Sequence, residues 1–294
     1  MENKDEVANA ICADLNRLDS IEGEYFYSVN LNIDPHEQDD WREQSGALRA
    51  RSTSIPESVL TRIWGGKNHF RVFLSHKSTI KIDTFRLKTS LAKLGLTAFV
   101  AHEDINPSEE WAREIERALF SMDALVALLT DNFHDSDWTD QEVGFALGRG
   151  TPVMAASLGL LPYGLMGKLQ ALKCKTLNDT DLMASEIFEV LLKKVSNEQR
   201  LFEGALERYS GSESWEQSAW NVDNLLSKFE KLERQQVDQI IKEYKMNSKN
   251  RDSFKGNKLL HTLLTKWTGE RWPMKGGIIV FPEEKTSTFD DVPF

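Results

Sequence analysis

The residues placed to do chemistry in this chain are three polar steps and one isolated carboxylate. Ser75-His76-Lys77 offers a hydroxyl, an imidazole and an ammonium in succession, His102-Glu103-Asp104 an imidazole and two carboxylates, and a third polar loop follows Thr130. Donors of the first kind hold anionic groups, whereas a preorganised carboxylate stabilises positive charge as it develops in a transition state. Glu114 is the carboxylate that stands apart. It precedes Ile115 near the start of a helical pattern, which directs it toward the mouth beside that helix start. Glu109 and Glu110 differ, because they follow Ser108, a natural N-cap, and the helix dipole accounts for two carboxylates in a first turn. Each candidate also has a plainer reading. Spacing alone makes Glu114 a solvated helix carboxylate beside Arg117, Trp111 a core aromatic at helical spacing, and Ser75 a capping hydroxyl beside an exposed Lys77.

Four apolar runs supply the frame for these residues. FRVFLS (70–75), LTAFVA (96–101), ALVALLT (124–130) and a run opening at Thr151 are unbroken rather than alternating, as in strands buried on both faces of a parallel sheet. Between them, Phe85, Leu87, Leu91 and Leu94 share one helical face, and Trp111, Ile115, Ala118 and Leu119 share another. This alternation predicts an α/β domain with a central parallel sheet and right-handed crossovers. In such sheets ligands bind in the crevice at the carboxyl ends of the strands, and all three polar steps fall there. A further segment, Ser136-Asp137-Trp138-Thr139-Asp140-Gln141-Glu142, reads as an N-capped helix start with Trp138 packing, and as structural.

Spacing excludes several other chemistries. The glycines from Gly159 to Gly167 before Lys168 fail the G-x-x-x-x-G-K-[ST] pattern, and no G-x-G-x-x-G follows a strand. The six histidines are scattered, without H-E-x-x-H or a Cys-His cluster, so no metal is expected. No Ser-His-Asp order can be argued, and two distant cysteines, Cys12 and Cys174, form no disulfide framework. A net charge of −10 argues against nucleic acid or an anionic membrane as partner. No window approaches the roughly twenty apolar residues of a membrane span. The acidic start lacks the basic and apolar regions of a signal peptide, and a cytoplasmic protein is expected.

FLSHKS, then GLTAFVAHEDINPSEEWAREIERAL, then SDWTDQEVGFAL resemble, in order and spacing, a bacterial Toll/interleukin-1 receptor (TIR) domain of the NAD-cleaving type. The resemblance implies a flavodoxin-like α/β fold with a central parallel sheet, carrying helical N- and C-terminal extensions. It also implies NAD⁺ as the substrate, with no cofactor. Glu114, in Glu114-Ile115-Glu116-Arg117-Ala118-Leu119, takes the place of the family's catalytic glutamate. Ser75, His76 and Lys77 become donors for the diphosphate, Trp111 a wall for nicotinamide, and Asp104 part of a loop to Glu110 that closes over the ligand. Glu142 matches a recurrent acidic position of the family and is read as structural. Ala101 and His102 stand where many relatives carry an acidic residue. The implied products are nicotinamide and ADP-ribose or a cyclic ADP-ribose, in bacterial antiviral defence. The active form would be a homo-oligomer or filament, switched on by assembly or by a partner protein. The alternative is a non-catalytic TIR scaffold for self-association or adaptor signalling, with a nucleotide-sugar-type transferase as a minor third.

Outside that core the chain is helical in texture. Residues 1–66 form a mostly helical extension, with Val7, Ile11 and Leu15 on one face and a short helix after Pro56. The TIR domain spans 67–198, its last helix running through LMASEIFEVLLKKV. A C-terminal helical module fills 199–294, with a continuous helical pattern from Trp215 to Met246, another from Leu259 to Trp267, and a short IIVF strand. If that module serves assembly, removing residues after about Ser210 reduces activity more than folding.

Overall fold

The computed structural model describes residues 10–13, 55–65, 69–100, 109–195 and 198–281, with side chains at 109–111 and 198 left undescribed. Contacts divide the chain at Ser54: one unit is Met1–Ser54, the other Ile55–Phe294. In the first unit residues 10–13 are helical. The second unit takes in both the Pro56 helix and the C-terminal helices, so its boundary falls inside the expected 1–66 extension. No boundary appears at 198.

The second unit is built on four parallel strands, β1 (Phe70–Ser75), β2 (Leu96–Val100), β3 (Ala124–Leu129) and β4 (Val153–Ser157), in the order β2-β1-β3-β4. β1 and β3 are buried along their whole length, which is why β3 is a continuous apolar run and β1 is apolar apart from Arg71 and Ser75, with no polar alternation. Before β1 comes α1 (Glu57–Trp64); after it come α2 (Lys81–Lys93), α3 (Glu109–Ser121), α4 (Thr139–Gly148) and α5 (Thr180–Lys194). Ile63, Trp64, Phe73, Ile115, Ala118, Leu125, Val143 and Ala146 form the core on one face of the sheet. Val72, Leu74, Leu87, Leu91, Val126, Ile187 and Phe188 form the core on the other. The chain therefore leaves β1 toward one face, through α2, and leaves β3 toward the opposite face, through α4. Between the carboxyl ends of β1 and β3 lies the switch point of this flavodoxin-like sheet.

The C-terminal helices complete the second face rather than standing apart. They are α6 (Glu198–Ser210), α7 (Trp215–Asn224), α8 (Arg234–Met246), the single turn α9 (Ser248–Arg251) and α10 (Phe254–Thr268), followed by the hairpin β5 (Met274–Lys275) and β6 (Ile278–Ile279). Phe202, Val222, Phe229, Ile240, Tyr244 and Leu260 belong to the same apolar cluster as Val72 and Leu74 of β1. The run from Trp215 to Met246, read as continuously helical, is broken by a 3-10 turn at Leu226–Lys228 and an extended stretch before Arg234. Within α7 Trp220 faces outward, at 41% exposure, while Ala219 and Val222 face the core. α6 lies directly on the turn after α2. A Cβ at Gly204 would stand 2.1 Å from the Gly95 carbonyl oxygen, and Gly95 itself has φ 76°, so both positions require glycine.

Candidate active site

The carboxyl end of β1 and the first turn of α4 meet in one buried pair. Alternation along β1 places Ser75 on the same face as Phe73, toward α3 and α4. The Ser75 hydroxyl donates to Glu142 Oε2 at 2.5 Å. Ser75 is fully buried and Glu142 is 4% exposed, a placement that costs a carboxylate dearly unless it is hydrogen-bonded. The start of α4 is itself held in place. Thr139 Oγ1 donates to the Phe133 carbonyl at 2.6 Å, and the Tyr163 hydroxyl donates to Asp140 Oδ1 at 2.5 Å. Burial, and then the Asp140 contact, push the Tyr163 phenol well above its ordinary value, so it stays a donor. The expected side-chain cap of this helix is not formed. Trp138 is the N-cap residue without a capping bond, and its own N–H reaches Ser136 Oγ at 3.4 Å.

The other residues of the first polar step lie alongside. His76 is buried, its Nδ1 donating to the Leu74 carbonyl at 3.1 Å. Lys77 Nζ lies 3.5 Å from Asp135 Oδ2 in the 3-10 turn Phe133–Asp135 after β3. His134 Nε2 is 3.5 Å from Asp135 Oδ1, and its ring meets Tyr163 edge-on at 6.2 Å. Hydroxyl, carboxylate, imidazole, ammonium and phenol are thus gathered around the strand ends.

Glu114 stands elsewhere on the framework. Its Oε1 lies 3.6 Å from Arg62 Nε of α1, and both side chains are substantially exposed. Arg62, rather than the expected Arg117, is its ionic partner, and no described contact joins it to Ser75, His76 or Lys77. α1 reaches this position because Trp64 anchors it. The indole ring packs 6.1 Å from Phe99 of β2, and its N–H donates to Ser121 Oγ of α3 at 2.9 Å. Asp104, together with His102 and Glu103, lies outside the described residues. So does the side chain of Trp111, whose backbone is in the first turn of α3. Among the described residues no group of three His, Cys, Asp or Glu side chains is arranged to hold a metal.

Comparison with protein families matches the TIR domain over residues 72–187, a span that runs from β1 to about the middle of α5. Residues 72–187 are a TIR domain. Curated proteins gave no significant match to the chain. The matched TIR segment contains Ser75, His76, Lys77, Glu114 and Glu142 alike, so family membership by itself does not choose between the two carboxylates. Sequence reasoning passed over Glu142 as a structural residue. Glu114 and Glu142 each precede a buried apolar residue, Ile115 and Val143, by one position, so helical period gives both the same signal. The TIR domain's tertiary contacts separate them: Ser75 faces Glu142, and Arg62 faces Glu114.

Proposed function

We propose that this TIR domain cleaves NAD⁺ at the nicotinamide–ribose bond, releasing nicotinamide and ADP-ribose or a cyclic ADP-ribose. The nicotinamide of NAD⁺ is a cationic pyridinium and leaves as a neutral amine without a general acid. The ribose carbon then carries oxocarbenium character, as in glycoside cleavage. One fixed carboxylate near that carbon is sufficient to stabilise the charge. The observation that carries this reading is the buried Glu142 carboxylate at the switch point of the sheet, held by Ser75 at 2.5 Å. Glu142 is the better supported carboxylate on geometry, and Glu114, partly exposed and paired with Arg62, is the alternative. His76, Lys77 and Tyr163 are the groups assigned in this reading to the diphosphate and ribose, with Trp111 and Asp104 as further substrate contacts. Water or the adenine ring as nucleophile distinguishes hydrolysis from cyclisation. NAD⁺ depletion by an assembled TIR enzyme fits a defence role in the cytoplasm.

The test is incubation of the full chain with NAD⁺ and chromatography of the products, for the parent, Glu142→Gln and Glu114→Gln. Glu142→Gln is expected to lower turnover by about a hundred- to a thousandfold, the usual loss for one preorganised electrostatic group. Equal turnover in Glu142→Gln and the parent, with loss in Glu114→Gln, would return the role to Glu114. A second reading, a TIR scaffold for self-association, is favoured by Leu161 and Leu165, which stand 72% and 79% exposed in the segment after β4. A parent that never cleaves NAD⁺, even at concentrations where light scattering shows an oligomer, supports the scaffold instead.

A further inference from the structure

We propose that Ser75 is a positioning residue for Glu142: its hydroxyl fixes the carboxylate in one orientation and keeps it ionised while the fold covers it. Removal from water disfavours the charged form of any carboxyl group, so a buried Glu tends toward protonation unless something opposes it. Two features oppose it here. Glu142 lies in the first turn of α4, where the unpaired N–H groups of the helix favour negative charge. The Ser75 hydroxyl adds a donor at 2.5 Å, and a hydrogen bond to the charged form lowers the pH at which that form is lost.

In the row across the sheet, Ser75 pairs with Ala127 of β3, and Ala127 pairs with Ala155 of β4. The two alanines present methyl groups and no donor, so among the described residues of that row the hydroxyl brought to the underside of α4 is that of Ser75. The titratable groups described on the packed elements each have a contact of their own. Lys77 and His134 both approach Asp135, Tyr163 donates to Asp140, and the His76 Nδ1 serves the Leu74 carbonyl. Asp131, in the turn after β3, lies against Gly159, whose Cβ, were one present, would stand 2.3 Å from Asp131 Oδ1. Because the Ser75 hydroxyl is engaged by Glu142, it acts on the reaction through that carboxylate and does not contact the diphosphate.

The effect on turnover rests on Glu142 being the working carboxylate; the effect on its ionisation does not. The experiment therefore reads both. Full chain carrying ¹³C-labelled glutamate is titrated by NMR, with the Glu142 carboxyl signal identified by its absence in Glu142→Gln. Ser75→Ala is expected to raise the midpoint of that signal by about one pH unit, and Ser75→Thr, which keeps the hydroxyl, to leave it near the parent's. In NAD⁺ turnover Ser75→Ala is expected to lower kcat about tenfold with KM little changed, to move the acid limb of the pH profile upward, and to be rescued by Ser75→Thr. An unmoved Glu142 midpoint in Ser75→Ala overturns the proposal, whatever the turnover. A moved midpoint in a chain that never cleaves NAD⁺ upholds the pairing and removes only the NAD⁺ reading. If Ser75→Ala does not fold, by circular dichroism, Ser75→Cys, of similar size and with a weak donor, is read by the same two outcomes.

Discussion

Glu114 and Glu142 show how little a carboxylate's identity says before its partner is known. A Glu paired with an Arg at 3.6 Å while both side chains remain in solvent gains little, because water and salt screen the attraction. Glu114→Gln is therefore expected to change stability by no more than about 0.5 kcal/mol in urea denaturation, whichever carboxylate serves the chemistry. Trp64, one residue from the α1 C-cap, is worth more than the ion pair beside it. Trp64→Phe keeps the apolar contact with Phe99 and deletes the bond to Ser121, at an expected cost of about 1 kcal/mol. Trp64→Ala also empties a fully buried ring site and is expected to cost about 3–5 kcal/mol.

The helices of the C-terminal region are joined to one another through asparagine amides that serve backbone carbonyls. Asn221 Nδ2 donates to the Arg208 carbonyl, Asn250 Nδ2 to Tyr209 and Asn247 Nδ2 to Ser210, all in the last turn of α6. A helix end leaves its final carbonyls without intrahelical partners, and here three later segments supply them. Asn250→Ala is expected to destabilise by about 1 kcal/mol, the net worth of one hydrogen bond, because the Tyr209 carbonyl keeps the Ser212 N–H and hydroxyl as donors. Asn250→Asp is expected to be no milder, because it exchanges the donating amide for acceptors. Two surface pairs tie neighbouring helices and give stability an acid dependence. Lys93 donates to Asp181 between α2 and α5, and Lys228 donates to Glu189 of α5; these bonds hold both carboxyl groups below their ordinary values. A depressed carboxyl contributes stability above its unfolded value and loses it as pH falls through the folded one. Asp181→Asn is thus expected to cost a few tenths of a kcal/mol at pH 7 and to flatten the fall in thermal midpoint below about pH 4, since screening keeps each pair small.

At the scale of the whole molecule, the second unit is a TIR sheet whose one face is finished by helices from beyond the matched family segment. Phe229 illustrates the joint, its ring meeting Phe188 of α5 and Phe202 of α6 edge-on at 6.3 and 5.9 Å. Removing residues after Ser210 would uncover Phe188 and Phe202 by taking away Phe229, and with it the rest of that apolar cluster's C-terminal members. The truncated chain is therefore expected to aggregate or lose its cooperative thermal transition, rather than to fold and merely fail to assemble. Gly204→Ala tests the same joint more gently. Its methyl would meet the Gly95 carbonyl at 2.1 Å, and a loss of about 1–3 kcal/mol is expected as α6 lifts from the α2 turn. No helix among the described residues is long and apolar enough to cross a membrane.

The sequence by itself determined the elements of the sheet domain and the family they belong to. ALVALL is uniformly apolar, and FRVFLS is apolar apart from Arg71 and Ser75, because their strands are covered on both sides, and that cause is local enough to be legible in a short window. The polar steps at the strand ends were legible for the same reason: β1 stops where Ser75-His76-Lys77 begins to supply polar groups. The grouping of helices was not legible. An apolar stripe says that a helix is buried but not against what, so α6 to α10 read as a separate module when they share a core with β1. The difference between the two carboxylates lies only in their tertiary contacts. Glu114 and Glu142 occupy equivalent places in their helical patterns, and what separates them is a residue far off in the chain, Arg62 for one and Ser75 for the other. Periodicity reports the face of a helix; only the packing of that face against β1 places a hydroxyl within 2.5 Å of one glutamate and not the other.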